Sequence, residues 1–333
     1  SSTDSRVDHG NSDALHFDIA RKGRWLTKEI SGYNGASGHS LAHNTLLIEN
    51  FSTYRYLGTG KEGSSNLFPG APAKDGDILM TASAPNYNYV AADAAGPYSQ
   101  TSYYETHHAK HVTRQMANFN EDTFVVFDHV ITDKYDVRDL TPSAFSGLVD
   151  VTSGEYVREV NYVQHFESKP VLDGEFYSTQ EPESKQQLKY KTLLPVNHTQ
   201  EIVDENAYYG KETGLNTPLY AVPLNQRKWR IKVTANERDV ENRFLHVMFA
   251  GDEGLVATPT QQIVLNKESG HITSGSANIT GVAMKFNTSW HIVLFNDKPT
   301  VNISNVHYQT PFVAEDEEVH HYLFGLGNGG YNI

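Results

Sequence analysis

Short runs of strand-forming residues, each closed by turn residues, constrain the fold of this chain more than any other feature. The runs are apolar or alternate apolar with polar residues, and Gly, Pro, Asn or Asp bounds each of them, which is typical of β-strands joined by turns. No run of about 12 residues or more has the apolar spacing of an amphipathic helix. The clearest runs are NTLLIEN (44–50), DTFVVFDHVI (122–131), YVQHFESKPVL (162–172), KWRIKVTA (228–235), RFLHVMFAG (243–251), QQIVLN (261–266), ITGVAMKF (279–286) and WHIVLFND (290–297).

The spacing of these runs predicts an all-β fold. Many strands at short intervals without helices between them are typical of antiparallel β-sandwiches. The pattern changes near residues 251–260, after which the strands are short and the chain ends in a Gly-rich tail. We therefore expect a large antiparallel β-sandwich over residues 1–250, followed by a smaller C-terminal β-sheet region over residues 251–333. Polar stretches are predicted to be loops, and they cover 57–77, 178–187 and 196–218.

Composition and charge narrow the range of partners. The 333 residues include 27 Lys and Arg against 40 Asp and Glu, and the net charge of −13 argues against nucleic acid as a partner. An anionic polysaccharide would need a local basic patch on such a chain. The chain has no cysteine, which excludes disulfides and thiolate metal sites. No stretch approaches the roughly 20 consecutive apolar residues of a membrane helix, so no membrane partner is expected.

Side chains of the metal-ligand type crowd the N-terminal run DHGNSDALHFDI (8–19). If this run is a strand, His9, Asn11 and Asp13 share one face, because side chains alternate along a strand. The alternation does not continue to Ile19, so we expect a bulge or a late start of the strand. The polar face could bind a metal or an anionic sugar, and a solvated edge strand is the plainer alternative.

Glu29 and His43 are the next residues of the metal-ligand type. Together with Asn11 they offer oxygen and nitrogen donors that Zn²⁺ or Mn²⁺ accepts. Their spacing is not a local metal-binding motif, so the sequence alone indicates this site only weakly.

Two further groups of residues leave alternatives open. Arg21, Lys22 and Arg24 could bind uronate or sulfate groups, and a solvated basic turn is an equal alternative. His107 and His111 would share one face of a strand and could hold a metal, but an exposed strand is the favoured interpretation. The chain has no H-E-x-x-H helix and no G-x-S-x-G elbow, which are typical of zinc proteases and of serine hydrolases.

The order of several motifs resembles the β-sandwich part of heparinase II/III-like polysaccharide lyases. That family shows an H-x-H-x-D-x-x-x-F strand, then G-x-L-x-x-D-x-G-Y, then A-H-N-[ST]-[ML]. This chain has DHGNSDALHF, GRWLTKEISGY and AHNTLL in the same order. The resemblance covers nearly the whole chain, and it continues in YNYVAADAAGPYS (87–99), HVTRQMANFNEDTFVVFDHV (111–130), NYVQHFESKPVLDGEFY (161–177), KWRIKVTA (228–235) and RFLHVMFAGDEG (243–254).

The resemblance implies a lyase that cleaves a uronic-acid-containing glycan, such as alginate, a glycosaminoglycan or ulvan, by β-elimination. This reaction needs a neutralised carboxylate, a base for the C5 proton and an acid for the leaving oxygen. In the family an N-terminal α/α toroid supplies most of these groups, and the first His of H-x-H completes the site. His9 takes that position here. The chain shows no toroid, so we expect it to be a fragment that contributes one face of the cleft and is inactive alone.

The resemblance also implies a structural metal ion, with zinc favoured. Carried over by position, its ligands are Asn11, Glu29 and His43, of which only His43 keeps the residue type of the family. The match at Glu29 could instead fall on Lys28. Such a metal would hold strands together beneath the cleft rather than act on the substrate. The resemblance further implies a periplasmic or secreted bacterial protein, and it leaves a homodimer open.

Two other functions compete with the lyase. A non-catalytic carbohydrate-binding or scaffold sandwich gains weight from the missing toroid and from Asn11. A metal-dependent hydrolase would use Glu29 and His43 with the pair Asp13 and His16. The hydrolase predicts cleavage without an unsaturated product and loss of activity with a chelator.

Overall fold

Strands make up most of the structure, a computed structural model, and the all-β prediction is confirmed. Within the described residues the one helix is α1 (Ala95–Tyr98), a single turn. No helix of this part of the chain is long and apolar enough to cross a membrane. The structure describes residues 14–29, 43–48, 76–98, 109–136, 155–204, 229–265, 272–273, 279–296, 313–314, 316–325 and 331–332.

The strands are numbered in chain order. The first ten are β1 (Ala20–Arg21), β2 (Arg24–Trp25), β3 (Leu46–Ile48), β4 (Asp77–Ala84), β5 (Tyr87–Asp93), β6 (Ala109–Phe119), β7 (Thr123–Thr132), β8 (Lys134–Asp136), β9 (Glu155–Val157) and β10 (Val160–Phe166). The next six are β11 (Val171–Asp173), β12 (Phe176–Gln180), β13 (Gln187–Leu194), β14 (His198–Asp204), β15 (Trp229–Ala235) and β16 (Glu241–Gly251). The last six are β17 (Thr260–Leu265), β18 (Ile272–Thr273), β19 (Ile279–Phe286), β20 (Ser289–Asn296), β21 (Glu318–Gly325) and β22 (Tyr331–Asn332).

The largest sheet has eight antiparallel strands in the order β11–β12–β13–β16–β7–β6–β5–β4. Strand β7 is buried along most of its length because both faces of the sheet are covered. Side chains alternate between the faces, so Val126 and Val130 lie in one core while Val125 and Phe127 lie in another. A strand buried on both faces has a continuous apolar run, which explains the sequence TFVVFDHVIT.

A four-stranded sheet, in the order β14–β15–β10–β3, covers one face of the eight-stranded sheet. Tyr162 and Phe166 of β10 and Ile231 of β15 pack into the core between these two sheets. Phe17 and Ile19 of the N-terminal segment lie in the same core. The segment that carries the candidate site residues is therefore anchored in the sandwich.

A six-stranded sheet made from residues 260–332 covers the other face, in the order β18–β17–β19–β20–β21–β22. Strands β20 and β21 of this sheet are parallel. The ring of Tyr89 stacks on that of Phe324 with centroids 4.3 Å apart, and Phe127 stacks on Phe295 at 5.6 Å. The described chain thus forms three layers of sheet. The division into domains 1–250 and 251–333 stays a prediction.

One local expectation is confirmed and another is wrong. The strand starts late, as one of the two expected alternatives: residues 14–19 are a turn followed by residues without strand pairing, Leu15 has a positive φ of 68°, and β1 begins at Ala20. The stretch 196–218, predicted to be a loop, contains β14 at the edge of the four-stranded sheet. Most side chains of β14 are exposed or half-buried, which gives an edge strand the polar composition of a loop.

Candidate functional site

The N-terminal segment turns back on itself through the hairpin β1–β2. Lys22 and Gly23 at its tip both have positive φ, 49° and 77°. Two central residues with positive φ are the mark of a type I′ turn, whose twist suits a two-residue hairpin. Below the hairpin the backbone N–H of Ile19 donates to Oγ1 of Thr27 at 2.7 Å. The hairpin therefore brings the residues before it beside the residues that follow it.

Asn44, just before β3, connects three segments of the chain and is fully buried. Its Nδ2 donates to the carbonyl oxygen of Phe17 and to Oδ1 of Asp18, both at 2.9 Å. Its Oδ1 accepts the backbone N–H of His165 at 2.6 Å and lies 3.1 Å from Nδ1 of the same residue. Donors and acceptors on both sides thus fix the orientation of the Asn44 amide.

His16, Glu29 and His43 converge beside Asn44. Glu29 Oε2 lies 2.5 Å from His43 Nδ1 and 3.3 Å from His16 Nε2. Each of the three residues has one potential ligand atom within 4.8 Å of the others. The His43 side chain is 1 % exposed, whereas those of His16 and Glu29 are 17 % and 25 % exposed. The cluster is therefore shielded from solvent on the His43 side and open on the other.

Opposing effects act on the Glu29 carboxyl group. Burial disfavours its charged form, but the hydrogen bond with His43 and the charges of His16, His43 and His165 outweigh burial and lower the pKa of Glu29. Glu29 is therefore an anion in neutral solution, and the imidazole N–H groups beside it stabilise that charge.

By residue type the cluster suits zinc, since imidazoles and carboxylates are common zinc ligands. The hydrogen bond at His16 does not fit a metal. A metal-bound histidine almost always donates its second ring N–H to an acceptor. Here His16 Nδ1 instead accepts the backbone N–H of Asn44 at 3.0 Å. In the part of the chain that the structure describes, His43 Nε2 is buried without a hydrogen-bond partner.

The structure brings together two of the predicted metal ligands, Glu29 and His43. The third, Asn11, and the predicted catalytic residue, His9, lie outside the described residues, so both assignments stay predictions. His16 joins the cluster, as in the hydrolase alternative, although the ligand set implied by the family resemblance did not include it. The sequence signal for His16 was its position directly before Phe17. Because Phe17 lies in the core, His16 lies at the edge of that core.

Arg21 and Arg24, the predicted substrate-binding residues, both form ion pairs. Arg21 Nε lies 2.9 Å from Asp122 Oδ1, and its Nη1 lies 2.8 Å from Asp252 Oδ1. Arg24 pairs with Glu183. The three carboxylates lie in turns at one end of the eight-stranded sheet, so these pairs hold the hairpin against that end. Substrate binding by either arginine stays a prediction, and an anionic ligand would have to compete with these carboxylates.

A buried ion pair lies behind the cluster. Arg114 donates to Asp128 through Nε and Nη2, at 2.6 and 2.9 Å, and both residues are buried. Its Nη1 donates to the carbonyl oxygens of Leu15 and Asn44, at 2.5 and 2.9 Å. Arg114 therefore connects the central sheet to both segments that carry the His16–Glu29–His43 cluster.

Histidines on β6 and β7 form a separate group. The rings of His111 and His129 have centroids 4.6 Å apart, and His129 Nε2 lies 2.8 Å from Glu241 Oε1. Lys110 is exposed and His111 half-buried, while most of the rest of β6 is buried, so the expectation of an exposed strand stays a prediction for the histidine-rich part. His107 lies outside the described residues, and the metal alternative for this group stays a prediction.

Comparisons with known proteins bear on the fold. No family model and no curated protein match the chain. The structure of heparan sulfate lyase HepC from Pedobacter heparinus matches 86 % of this chain with a TM-score of 0.52 at 12 % identity. A crystal structure of heparinase III matches the same share with a TM-score of 0.52 at 13 % identity. The chain has the fold of one part of these lyases.

The match covers only part of each lyase chain. It covers 37 % of the HepC chain and 36 % of the heparinase III chain, so this chain spans little more than a third of their length. The resemblance seen in the sequence motifs is therefore confirmed for the fold. At this level of identity the likeness does not extend to the substrate or to the roles of single residues.

Proposed function

We propose that this chain is the β-sheet part of a polysaccharide lyase that cleaves a uronic-acid-containing glycan by β-elimination. The observation that carries the proposal is the fold match to two heparan sulfate lyases over 86 % of the chain. The order of the sequence motifs supports it separately. The proposed substrate classes are alginate, glycosaminoglycans and ulvan.

The reaction defines what the chain must contribute. β-Elimination removes the proton beside a uronate carboxylate and expels the glycosidic oxygen, so it needs a neutralising group, a base and an acid. We assign His9 to the cleft, where it contacts the substrate carboxylate or assists the base. Support comes from the segment that follows His9, because Arg114 holds the carbonyl oxygen of Leu15 and Asn44 holds that of Phe17.

An α/α toroid is the proposed source of the second wall of the cleft, in the same polypeptide or in a separate chain. The support is the length of the matched lyases, of which this chain spans little more than a third. The remaining catalytic groups would come from that wall. We further propose a periplasmic or secreted location in a bacterium, where polymeric glycans are accessible.

The net charge of −13 requires local positive groups for an anionic glycan. We assign a secondary binding role to Arg21 and Arg24, which follow the cleft segment in sequence. The carboxylates of Asp252 and Glu183 that pair with them are 59 % and 69 % exposed. The exposed pair Arg24–Glu183 contributes little to stability, so a uronate or sulfate group can replace that carboxylate at small cost, whereas replacement at the less exposed Arg21 costs more.

The experiment combines this chain with the toroid region of a heparinase III-type lyase and follows the absorbance of the unsaturated uronate product. His9→Ala should abolish activity, while His320→Ala, a change in the six-stranded sheet, should not. Full activity of His9→Ala would remove the role of His9. Absence of product from all three glycan classes would overturn the lyase proposal.

A carbohydrate-binding or scaffold sandwich is the second candidate. The ion pairs of Arg21 and Arg24 favour it, because they hold the hairpin without any ligand. It predicts glycan binding by calorimetry with no unsaturated product. Cleavage that gives no unsaturated product and stops with a chelator would instead indicate a hydrolase that uses His16, Glu29 and His43.

A further inference from the structure

The hydrogen bond from Asn44 fixes the position of the His16 proton. The backbone N–H of Asn44 donates to His16 Nδ1 over 3.0 Å. A backbone N–H can only donate, so Nδ1 must hold a lone pair, and the neutral ring carries its proton on Nε2. Nε2 lies 3.2 Å from Asp18 Oδ2 and 3.3 Å from Glu29 Oε2. His16 therefore directs a proton at two carboxylates, where a metal would require a lone pair.

His43 supports the same conclusion from the other side of the cluster. Its Nδ1 lies 2.5 Å from Glu29 Oε2, and among the described residues nothing hydrogen-bonds to its buried Nε2. If Nδ1 bound a metal, the neutral ring would carry its proton on Nε2 and leave a buried N–H without an acceptor, which folded proteins rarely tolerate. With the proton on Nδ1, Glu29 accepts it, so Nδ1 holds no lone pair for a metal beside Glu29 Oε2, and the remaining lone pair is on the buried Nε2.

We propose that His16, Asp18, Glu29 and His43 form a metal-free network of polar contacts in which Asn44 fixes the proton of His16. Glu29 Oε2 accepts the Nδ1–H of His43, and Asp18 Oδ2 accepts the Nε2–H of His16, which lies 3.3 Å from Glu29 Oε2, so the Glu29 charge is stabilised without an ion. The network joins the N-terminal segment to the start of β3, which is the structural task that the family resemblance assigns to zinc. The proposal does not depend on the lyase function.

The residue types along the chain agree with the proposal. Asn11 stands where the family pattern has the second histidine of H-x-H, so one expected imidazole ligand is missing. His16 does not replace it as a ligand, because its lone pair faces the backbone N–H of Asn44. Only His43 keeps the ligand type of the family.

The first test measures metal in the whole chain after incubation with excess Zn²⁺ and dialysis. We expect well below one equivalent of zinc at this site and the same melting temperature with added Zn²⁺ and with EDTA. The control variant is Glu29→Ala. One equivalent of zinc that is bound by the native chain and lost in Glu29→Ala would overturn the proposal.

The second test determines the tautomers of both rings by ¹⁵N NMR of the native chain. We expect the His16 proton on Nε2 and the His43 proton on Nδ1, with signals assigned by their loss in His16→Gln and His43→Gln. A proton on Nδ1 of His16 would overturn the proposal, because it would leave Nε2 free to bind a metal. This measurement needs no destabilised variant.

The third test compares His16→Gln with His16→Leu. A glutamine amide offers both an N–H donor and an oxygen acceptor, so His16→Gln should keep the melting temperature within about 2 °C, while His16→Leu should lower it by roughly 5 °C. A metal site predicts equal losses for both variants, because neither side chain replaces an imidazole ligand. If His16→Leu does not fold, folding of His16→Gln alone supports the network and its failure to fold contradicts it.

Discussion

Arg114 and Asp128 are charged residues that lie inside the sandwich rather than on its surface. Arg114 is 4 % exposed and Asp128 is fully buried. Asp128 occupies an inward position of β7, between Val126 and Val130, where the alternation of the strand predicts an apolar residue. A charge at such a position is tolerated only when it is paired and hydrogen-bonded, and here both carboxylate oxygens accept from Arg114.

Asp128→Asn should lower the free energy of unfolding by about 3–5 kcal/mol, because it leaves the Arg114 charge buried and uncompensated. The double variant Arg114→Met/Asp128→Leu should recover part of this loss, but not all, since the carbonyl oxygens of Leu15 and Asn44 lose their donor. Urea unfolding measures all three proteins. A loss below about 1 kcal/mol in Asp128→Asn would contradict the buried ion pair.

His291 makes stability depend on pH. Burial and the neighbouring charge of His320 lower the pKa of His291 to about 4, against the opposing charge of Glu318. The unfolded chain thus binds more protons than the folded chain between about pH 6.5 and about pH 4. Stability should fall by about 1 kcal/mol as the pH falls through this window, an amount reduced by partial exposure of the ring. An NMR titration of His291 with a midpoint near 6.5 would contradict this.

The sequence allows the positions of some site residues to be predicted and not those of others. Glu29 and His43 could be predicted as neighbours because both lie in ordered motifs. His16 entered only the hydrolase alternative, and no pattern fixed its place, since that place depends on the turn at Leu15 and on the hairpin that follows. The position of the proton on the His16 ring could not be predicted either. It depends on the backbone N–H of Asn44, and no pattern of side chains shows where that N–H points.

At the scale of elements, burial separates the strands that the sequence predicts from those that it conceals. Strands β7, β16, β19 and β20 have long apolar runs because most of their side chains are buried, and the sequence pattern located all four within a few residues. Edge strands lack this signal. Strand β14 has mainly polar side chains, and in β4 Ile78 is 72 % exposed, so neither has the regular alternation of a half-buried strand.

The hairpin β1–β2 should depend on Arg21 more than on Arg24. Arg21 contacts both Asp122 and Asp252 and is 19 % exposed, whereas Arg24 is 47 % exposed and, among the residues that the structure describes, forms an ion pair with Glu183 alone. We expect Arg21→Gln to lower the free energy of unfolding by about 1–2 kcal/mol and Arg24→Gln by less than about 0.5 kcal/mol. Chemical unfolding of both variants tests this, and equal losses would contradict the assigned role of Arg21.

At the scale of the whole molecule, the order of the layers is the least predictable feature. The sequence pattern predicted strands and an all-β class, but not that the eight-stranded sheet would lie between two others. That arrangement depends on contacts between distant positions, such as Tyr89 with Phe324 and Phe127 with Phe295. A continuous apolar run shows that both faces of a strand are buried, and it does not show which sheet covers each face.

The six-stranded sheet should unfold together with the rest of the chain. Its inner face shares one hydrophobic core with the eight-stranded sheet, in which Phe324 is 2 % exposed and contacts Tyr89. Phe324→Ala should lower the free energy of unfolding by about 3–5 kcal/mol, because it leaves a cavity between the two sheets. A single transition should persist in this variant, since neither sheet can expose that core alone without loss of stability.

The three tryptophans allow the layers to be observed separately. Trp290 lies in the six-stranded sheet, Trp229 in the four-stranded sheet and Trp25 in the hairpin. In a Trp25→Phe/Trp229→Phe variant the fluorescence of Trp290 reports on the C-terminal sheet, while circular dichroism reports on all sheets. Coincident midpoints mean that residues 251–333 fold only against the eight-stranded sheet. An earlier transition of Trp290 would instead mark that region as a domain with its own stability, as the change of pattern near residues 251–260 predicts.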